Sequence, residues 1–417
     1  MKPGHFPGYT GSGNIEKVET GKSMIYQTLG MLALLAFAYS AISGWIERTP
    51  INGALVYTAF GLAFGSMGLG WIGFDIEAEG FRVIAEITLG VVLFSDAAGT
   101  DFKLLKRNLD VPQRLLLIGL PLTILLGVGT GMALFDNLSI VEIAIIATML
   151  APTDAALGKA VVSDPRVPAP MRQSLNVESG LNDGICVPVL FAFLALASES
   201  DGEGGLLILL AEEIGIGAIC GLGVTWLAAK LFRVANANGW IGPTWRQLII
   251  VSLAVLCFTA AQLAGGSGFI AAFVGGMFFG SMTHGQKEEL LESAEATGDL
   301  LSMITWTIFG AAVVGPALGA FTWQVLLYAI LSLTVVRMLP VFLSLLGTEL
   351  NTGDRLFIGW FGPRGLASIV FAVIVLNATL PGGDTITITV ICTVLFSVIL
   401  HGVTANPWVK AMDARPK

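Results

Sequence analysis

Three carboxylates stand inside segments otherwise apolar enough to cross a bilayer: Asp154 in Ala151-Pro152-Thr153-Asp154, and Glu178 and Asp183 in Asn176-Val177-Glu178-Ser179-Gly180-Leu181-Asn182-Asp183-Gly184. An uncompensated charge at the middle of a transmembrane helix costs at least ~2.5 to 3.5 kcal/mol, which makes each a functional candidate. On a helix, Ser179 and Asp183 share one face, and Glu178 and Asn182 share the adjacent one. Thr153, through hydroxyl and carbonyl, would join Asp154, Ser179 and Asp183 in supplying hard oxygen ligands and negative charge. That donor set suits a small alkali cation rather than a soft metal. A carboxylate buried there becomes neutral by taking a proton or a cation, and the two compete for the same oxygen atoms. If the site turns between the two sides only when occupied, proton flow one way drives cation flow the other. Asp183 is the choice for the exchanging carboxylate, because Asn182 beside it offers an amide without a second exchangeable charge. Permanent neutralisation of Asp183 by an arginine is the alternative. Gly180 and Gly184 have the small-xxx-small spacing that admits another backbone, and the Thr153-Asp154 segment is the expected neighbour.

Two intramembrane arginines need partners. Arg337, in Leu333-Thr334-Val335-Val336-Arg337, has no acid nearby in sequence, and Glu178 is the expected mate in a structural pair. Arg364 follows Gly362-Pro363 as Asp154 follows Pro152. In crossed half-helices the anion belongs near the facing N-termini and the cation near the facing C-termini, so these two are expected to offset the dipoles. Asp154 is also placed to reach the ion through water. Other acids are expected to be ordinary: Glu86 paired with Arg82, and Asp96, Asp101, Glu142, Glu212 and Glu213 near span ends where water is at hand.

These residues require a membrane scaffold, and the composition supplies one. Of 417 residues 54% are hydrophobic and 12% charged, against roughly 25% charged in soluble domains. The net charge of -8, without any basic run, argues against a nucleic-acid partner. Cys186, Cys220, Cys257 and Cys392 are scattered through apolar segments, and His5, His284 and His401 are equally dispersed, so neither a disulfide framework nor a resident metal or other cofactor is signalled.

Apolar stretches mark thirteen spans, at 24–43, 51–70, 81–97, 112–134, 138–162, 169–197, 205–229, 245–264, 268–283, 298–314, 322–346, 355–380 and 383–408. Basic residues such as Lys103, Lys106, Arg107, Arg166, Arg172, Lys230, Arg246 and Arg355 fall in or beside odd-numbered loops. The positive-inside rule then puts the N-terminus outside and the C-terminus in the cytoplasm of a plasma-membrane protein. Acidic runs (Asp75, Glu77, Glu79; Glu199, Asp201, Glu203) read as solvated turns, and 284–299 as a short amphipathic connector helix. Spans 5 and 12 are interrupted by Pro152 and by Gly362-Pro363, which remove backbone donors and release the turn. The interruptions lie seven spans apart, an odd number, so corresponding elements face opposite ways as in an inverted repeat. The expected division is a tail at 1–23, a first unit at 24–197, a linking span and its loops at 198–244, a second unit at 245–408 and a cytoplasmic tail at 409–417.

The paired motifs Ala151-Pro152-Thr153-Asp154 and Glu178-Ser179-Gly180-Leu181-Asn182-Asp183, with Arg337 and Gly362-Pro363-Arg364-Gly365, resemble those of the monovalent cation:proton antiporter-1 family. That family holds the NhaP-type sodium/proton antiporters and the animal sodium/hydrogen exchangers. The resemblance covers nearly the whole membrane region. It implies an all-α polytopic fold of about thirteen helices in a core and a dimerisation domain, a homodimer, elevator-like alternating access, and electroneutral one-for-one exchange of Na+ (or Li+) for H+. It implies ligation by Thr153, Ser179 and Asp183 with Asp154 and Glu178 nearby, and a Glu178 to Arg337 bridge. Ala155 stands where the family often has proline, so Pro152 alone carries the first break. Asn182-Asp183 in place of two aspartates argues against the electrogenic branch.

A K+/H+ antiporter is the runner-up, since oxygen ligands alone do not fix ion size. An organic-anion symporter of related fold stands behind it. An intramembrane aspartyl protease built on Asp154 and Asp183 lacks the Gly-x-Gly-Asp signature, and a cation channel would need several weak sites along a pore.

Overall fold

The computed structural model describes residues 12–46, 49, 51–73, 79–100, 110–162, 164–197, 203–282 and 287–413. His5, Asp75, Glu77, Asp101, Lys103, Lys106, Arg107, Glu199, Asp201 and His284 lie outside the described residues, as do the side chains of Glu79 and Glu203. The regular structure among the described residues is helical: α1 (Ser12–Ile46), α2 (Gly53–Phe64), α3 (Glu79–Gly99), α4 (Asp110–Leu134), α5 (Ile140–Met149), α6 (Lys159–Val162), α7 (Ala169–Ala197), α8 (Glu203–Ala237), α9 (Ile249–Leu263, after a single turn at Pro243–Arg246), α10 (Gly268–Met282), α11 (Lys287–Ile308, continued to Ala320), α12 (Trp323–Ser344), α13 (Thr352–Trp360), α14 (Leu366–Leu376) and α15 (Gly383–Asp413). Seven of them are long and apolar enough to cross a membrane, and five shorter apolar helices accompany them. The chain is a multi-span membrane protein.

Two expectations about element limits need correction. Helix α1 begins at Ser12, so the second half of the stretch read as a tail is helical. Helix α11 runs without a break from Lys287 to Ala320, so the polar stretch is the first part of a span rather than a separate connector. Its polar residues lie on good helix formers (Lys, Glu, Leu, Ala), and nothing between them and Ile308 stops the helix.

The helices pack in two groups. One joins α1, α2, α3 and α8 to α11, and the other joins α4 to α7 and α12 to α15. Small residues draw the first group together, as they do where no hydrophobic effect acts between helices in lipid. Gly276 and Gly280 of α10 lie against the backbone at Phe94 and Ala98 of α3, and Gly221 of α8 lies against Ala271 of α10, each leaving no room for a Cβ. In the second group the backbone leaves the helix twice, between Met149 and Lys159 and between Trp360 and Leu366.

Two polar features hold the outer parts of that second group. Glu142 was expected in water but is buried. It closes a capping box with Ser139 at the start of α5, and its Oε1 accepts the Gly382 N–H at 2.6 Å ahead of α15. Arg114 of α4 donates to the carbonyl of Leu346 at 2.8 Å, just past the end of α12, where orphan carbonyls attract a cation.

Candidate functional site

The two helix interruptions touch. The Asp154 N–H donates to the Pro363 carbonyl at 2.8 Å, joining one break to the other through backbone alone. Arg364, fully buried, sends its Nη1 to the carbonyls of Ala151 and Pro152 at 2.9 and 3.1 Å, just beyond the C-terminus of α5. The Asp154 Oδ2 accepts the Leu366 N–H at 3.0 Å, at the N-terminus of α14. Each break thus supplies the charge that offsets the dipole of the opposite half-helix, an effect worth up to ~2 kcal/mol in partly buried geometry. The approach is so close that a Cβ on Gly365 would fall inside contact distance of Asp154 Oδ2, so only glycine fits there. Ser368 adds a hydroxyl to the Met149 carbonyl at 2.7 Å.

Helix α7 holds the first break from the other side. Asn182 donates through Nδ2 to the Thr153 hydroxyl at 2.8 Å and accepts the Thr153 N–H at 3.3 Å. The Ser179 hydroxyl donates to the Thr153 carbonyl and accepts the Ala155 N–H at 2.7 Å. The other Asp154 oxygen, Oδ1, accepts N–H groups of Ala156 and Leu157 at 2.8 and 3.3 Å. Thr153, Asp154 and Ser179 line a small cavity with Phe361 and Pro363.

Asp183, one turn beyond Ser179, is 7% exposed, and its Oδ1 has no hydrogen-bond partner. Asp154 and Asp96 bear on it electrostatically, both with its own sign. Its neighbour Asn182 is committed to Thr153, so the expected amide beside the carboxylate instead braces the break. Glu178, on the other stripe, meets Arg337 in a two-pronged pair at 2.6 and 2.9 Å, with both residues buried. The guanidinium fork matches the carboxylate's two oxygens, which is the geometry a buried pair needs to offset its desolvation. Gly362 leaves room for that guanidinium, since a Cβ there would strike Arg337 Nε.

The glycines of α7 have other neighbours than expected. Gly180 faces Asp96 of α3, and Gly184 faces the ring of Phe273 of α10. The Thr153-Asp154 segment meets Ser179 and Asn182 instead, because an unwound backbone has polar groups to satisfy and glycine offers none. The small residues consequently mark the seam between the two helix groups. Asp96 was set aside in the sequence as an acid near a span end, yet it lies across that seam from Asp183. Its sequence signal, a carboxylate inside the window of span 3, was available but shared by several blander acids. Glu86 pairs with Arg82 at 2.6 Å.

The described residues form a multi-span helical bundle in which two interrupted segments touch beside a buried carboxylate with an unpartnered oxygen. Residues 32–411 match the family model described as sodium/hydrogen exchanger, transmembrane, and the chain belongs to that family. It is 25% identical over 374 residues, 89% of its length, to the K(+)/H(+) antiporter NhaP2 of Shewanella sp. (strain ANA-3), and spans 64% of that relative. It is 24% identical over 349 residues to the probable Na(+)/H(+) antiporter C3A11.09 of Schizosaccharomyces pombe, covering 78% of this chain and 45% of the yeast protein. The fold is similar to that of the sodium proton antiporter MjNhaP1 from Methanocaldococcus jannaschii, with a TM-score of 0.74 at 22% identity, covering 91% of this chain and 99% of that one.

Proposed function

We propose that the chain exchanges a monovalent cation for a proton across the plasma membrane, with Na+ or Li+ as the cation and one-for-one, electroneutral stoichiometry. The observation that carries this reading is Asp183: a buried carboxylate with an unpartnered oxygen and like charges around it. Such a group needs a cation or a proton and cannot hold both on the same oxygen atoms. Thr153, Asp154 and Ser179 complete the oxygen shell, and Asp96 adds a carboxylate from the facing helix group. Movement of the second helix group against the first would carry the site from one side to the other, and the glycine-lined seam at Gly180 and Gly184 is where they would slide. Arg337 and Glu178 hold the site helix without taking part in exchange. Counting α5 with α6 and α13 with α14 as single interrupted spans groups α1 to α15 into thirteen, which supports an inverted repeat of units 24–197 and 245–408. The orientation with the N-terminus outside follows the basic loops. A homodimer is supported by α1 and α8, whose apolar windows are only 22% buried within one chain.

K+ is the second reading, favoured by the names of the Shewanella relatives. One experiment separates the two. Proteoliposomes with a pH dye inside are given a pH gradient and then Na+, Li+ or K+, with and without a voltage clamp. Proton movement with Na+ and Li+ that ignores the clamp supports the proposal; a response to K+ alone replaces it with the second reading; silence toward all three overturns both.

A further inference from the structure

Among the buried polar residues of helix α15 that the exchange reading does not use are Ser397 and His401, one turn apart. Both face the second break. The Arg364 N–H donates to Ser397 Oγ at 2.6 Å. Ser397 Oγ is 3.2 Å from His401 Nδ1, and His401 Nε2 is 2.9 Å from the Trp360 carbonyl. His401 Nδ1 is also 2.9 Å from the Ser397 carbonyl, so each ring nitrogen faces a carbonyl that can only accept, and the ring bridges Ser397 to Trp360 in either tautomer. The result is a continuous chain of contacts from the Arg364 N–H through Ser397 and His401 to the Trp360 carbonyl.

In an uninterrupted α-helix the N–H of residue 364 would donate to the carbonyl of residue 360. The break pulls these groups apart: the Trp360 carbonyl accepts the Gly362 N–H at 2.8 Å, and the Arg364 N–H, which has no water in a membrane, donates to Ser397 Oγ. The serine and histidine are inserted into that missing bond. Imidazole suits the place because its two ring nitrogens reach polar groups on opposite sides. The same face of α15 steadies the rim of the break: Thr404 accepts the Trp360 indole N–H at 2.9 Å, and the Trp360 and His401 rings lie 5.1 Å apart.

We propose that Ser397 and His401 are positioning residues that set the shape of the 361–365 segment and, through it, the cation affinity of the site on the other break. The route is short. The relay fixes the backbone of Arg364, whose neighbour Pro363 accepts the Asp154 N–H and whose guanidinium caps the segment carrying Thr153. The inference rests on the cation exchange proposed above, with the site at Thr153, Asp154 and Asp183.

The test is cation-dependent proton flux in proteoliposomes of wild type, Ser397→Ala, Ser397→Thr, His401→Phe and His401→Gln, each over a range of Na+ and K+ concentrations. Leaving one buried donor unpaired is enough to move an equilibrium roughly tenfold. Ser397→Ala and His401→Phe therefore raise the cation concentration for half-maximal flux about tenfold. Ser397→Thr, which keeps the hydroxyl, and His401→Gln, which keeps a donor and an acceptor, recover most of that loss. A purely structural role would lower the amount of folded protein and the maximal flux while leaving half-saturation unchanged, and that result overturns the inference. If His401→Phe does not fold, the Ser397→Ala and Ser397→Thr pair decides alone. A wild type that moves protons for no cation overturns the exchange reading and this inference together, whereas a transporting wild type matched by Ser397→Ala overturns the inference only.

Discussion

The two breaks solve one backbone problem with opposite chemistry. At the first, α7 supplies Ser179 and Asn182 to the freed groups around Thr153, and leaves Asp183 one turn away with an unpartnered oxygen. At the second, α15 supplies Ser397 and His401, and the charged residue of the break is Arg364, spent on carbonyls of the first. One break is braced by a helix with acids to spare, the other by a helix whose inward groups are neutral. The difference teaches that an unwound helix in a membrane is not in itself an ion site. The proposed site lies where bracing is complete and a carboxylate is still left over.

The contrast is broken most severely at Asp183. Asp183→Asn is expected to reduce cation-driven proton flux to that of empty liposomes while the purified protein keeps its melting behaviour. Surviving flux would move the exchange to another carboxylate, with Asp96 and Asp154 the ones to examine. Next in size is the buried pair that holds α7. Arg337→Ala or Glu178→Ala leaves a buried charge alone and is expected to cost roughly 3 to 5 kcal/mol, read as lost folded protein. The double variant should be no worse than either single one, and fully additive losses would contradict the pairing.

A smaller effect is expected where the breaks touch. Asp154→Asn keeps the size but removes the charge at the α14 N-terminus and one of its accepting oxygens, which should change apparent cation affinity about tenfold. Unchanged kinetics would confine Asp154 to a dispensable dipole role. The smallest effect lies outside the membrane, in the loop before α7. There the Arg166 guanidinium holds the Asp164 carboxyl below the usual carboxylate range through a pair whose Nη2 to Oδ2 distance is 2.6 Å. A depressed carboxylate stabilises the fold above its unfolded-state value and loses that contribution as pH falls through the folded one. Asp164→Asn should therefore lower the melting temperature slightly at neutral pH, and the gap between wild type and variant should close as pH falls below about 4.

Much of this arrangement is written in single residues. Pro152 and Gly362-Pro363 cannot continue a helix, and the charges beside them have no reason to be in lipid unless something faces them. Arg337, with no acid near it in sequence, needs a distant partner, and Glu178 lies on the stripe turned away from Ser179 and Asp183. Each of these follows from the cost of a polar group without water, a cost that any fold must meet. The seam at Gly180 and Gly184 is different. Small-residue spacing says that something comes close but not what, and the neighbours proved to be Asp96 and Phe273 instead of the unwound segment. Glu142 meets Ser139 three residues away, while its second partner, the Gly382 N–H, lies 240 residues away.

By itself, then, the sequence determined where helices run, where two of them must stop, and which buried charges call for partners, because helix propensity, proline geometry and desolvation act on a residue wherever it is placed. Only the tertiary structure decided who answers those calls. Asn182 goes to Thr153 and not to Asp183, Asp96 stands across from the site, and Ser397 with His401 fills the gap between Trp360 and Arg364. A hydrogen bond depends on a few tenths of an ångström between atoms brought together from distant parts of the chain, and no residue type or spacing carries that distance.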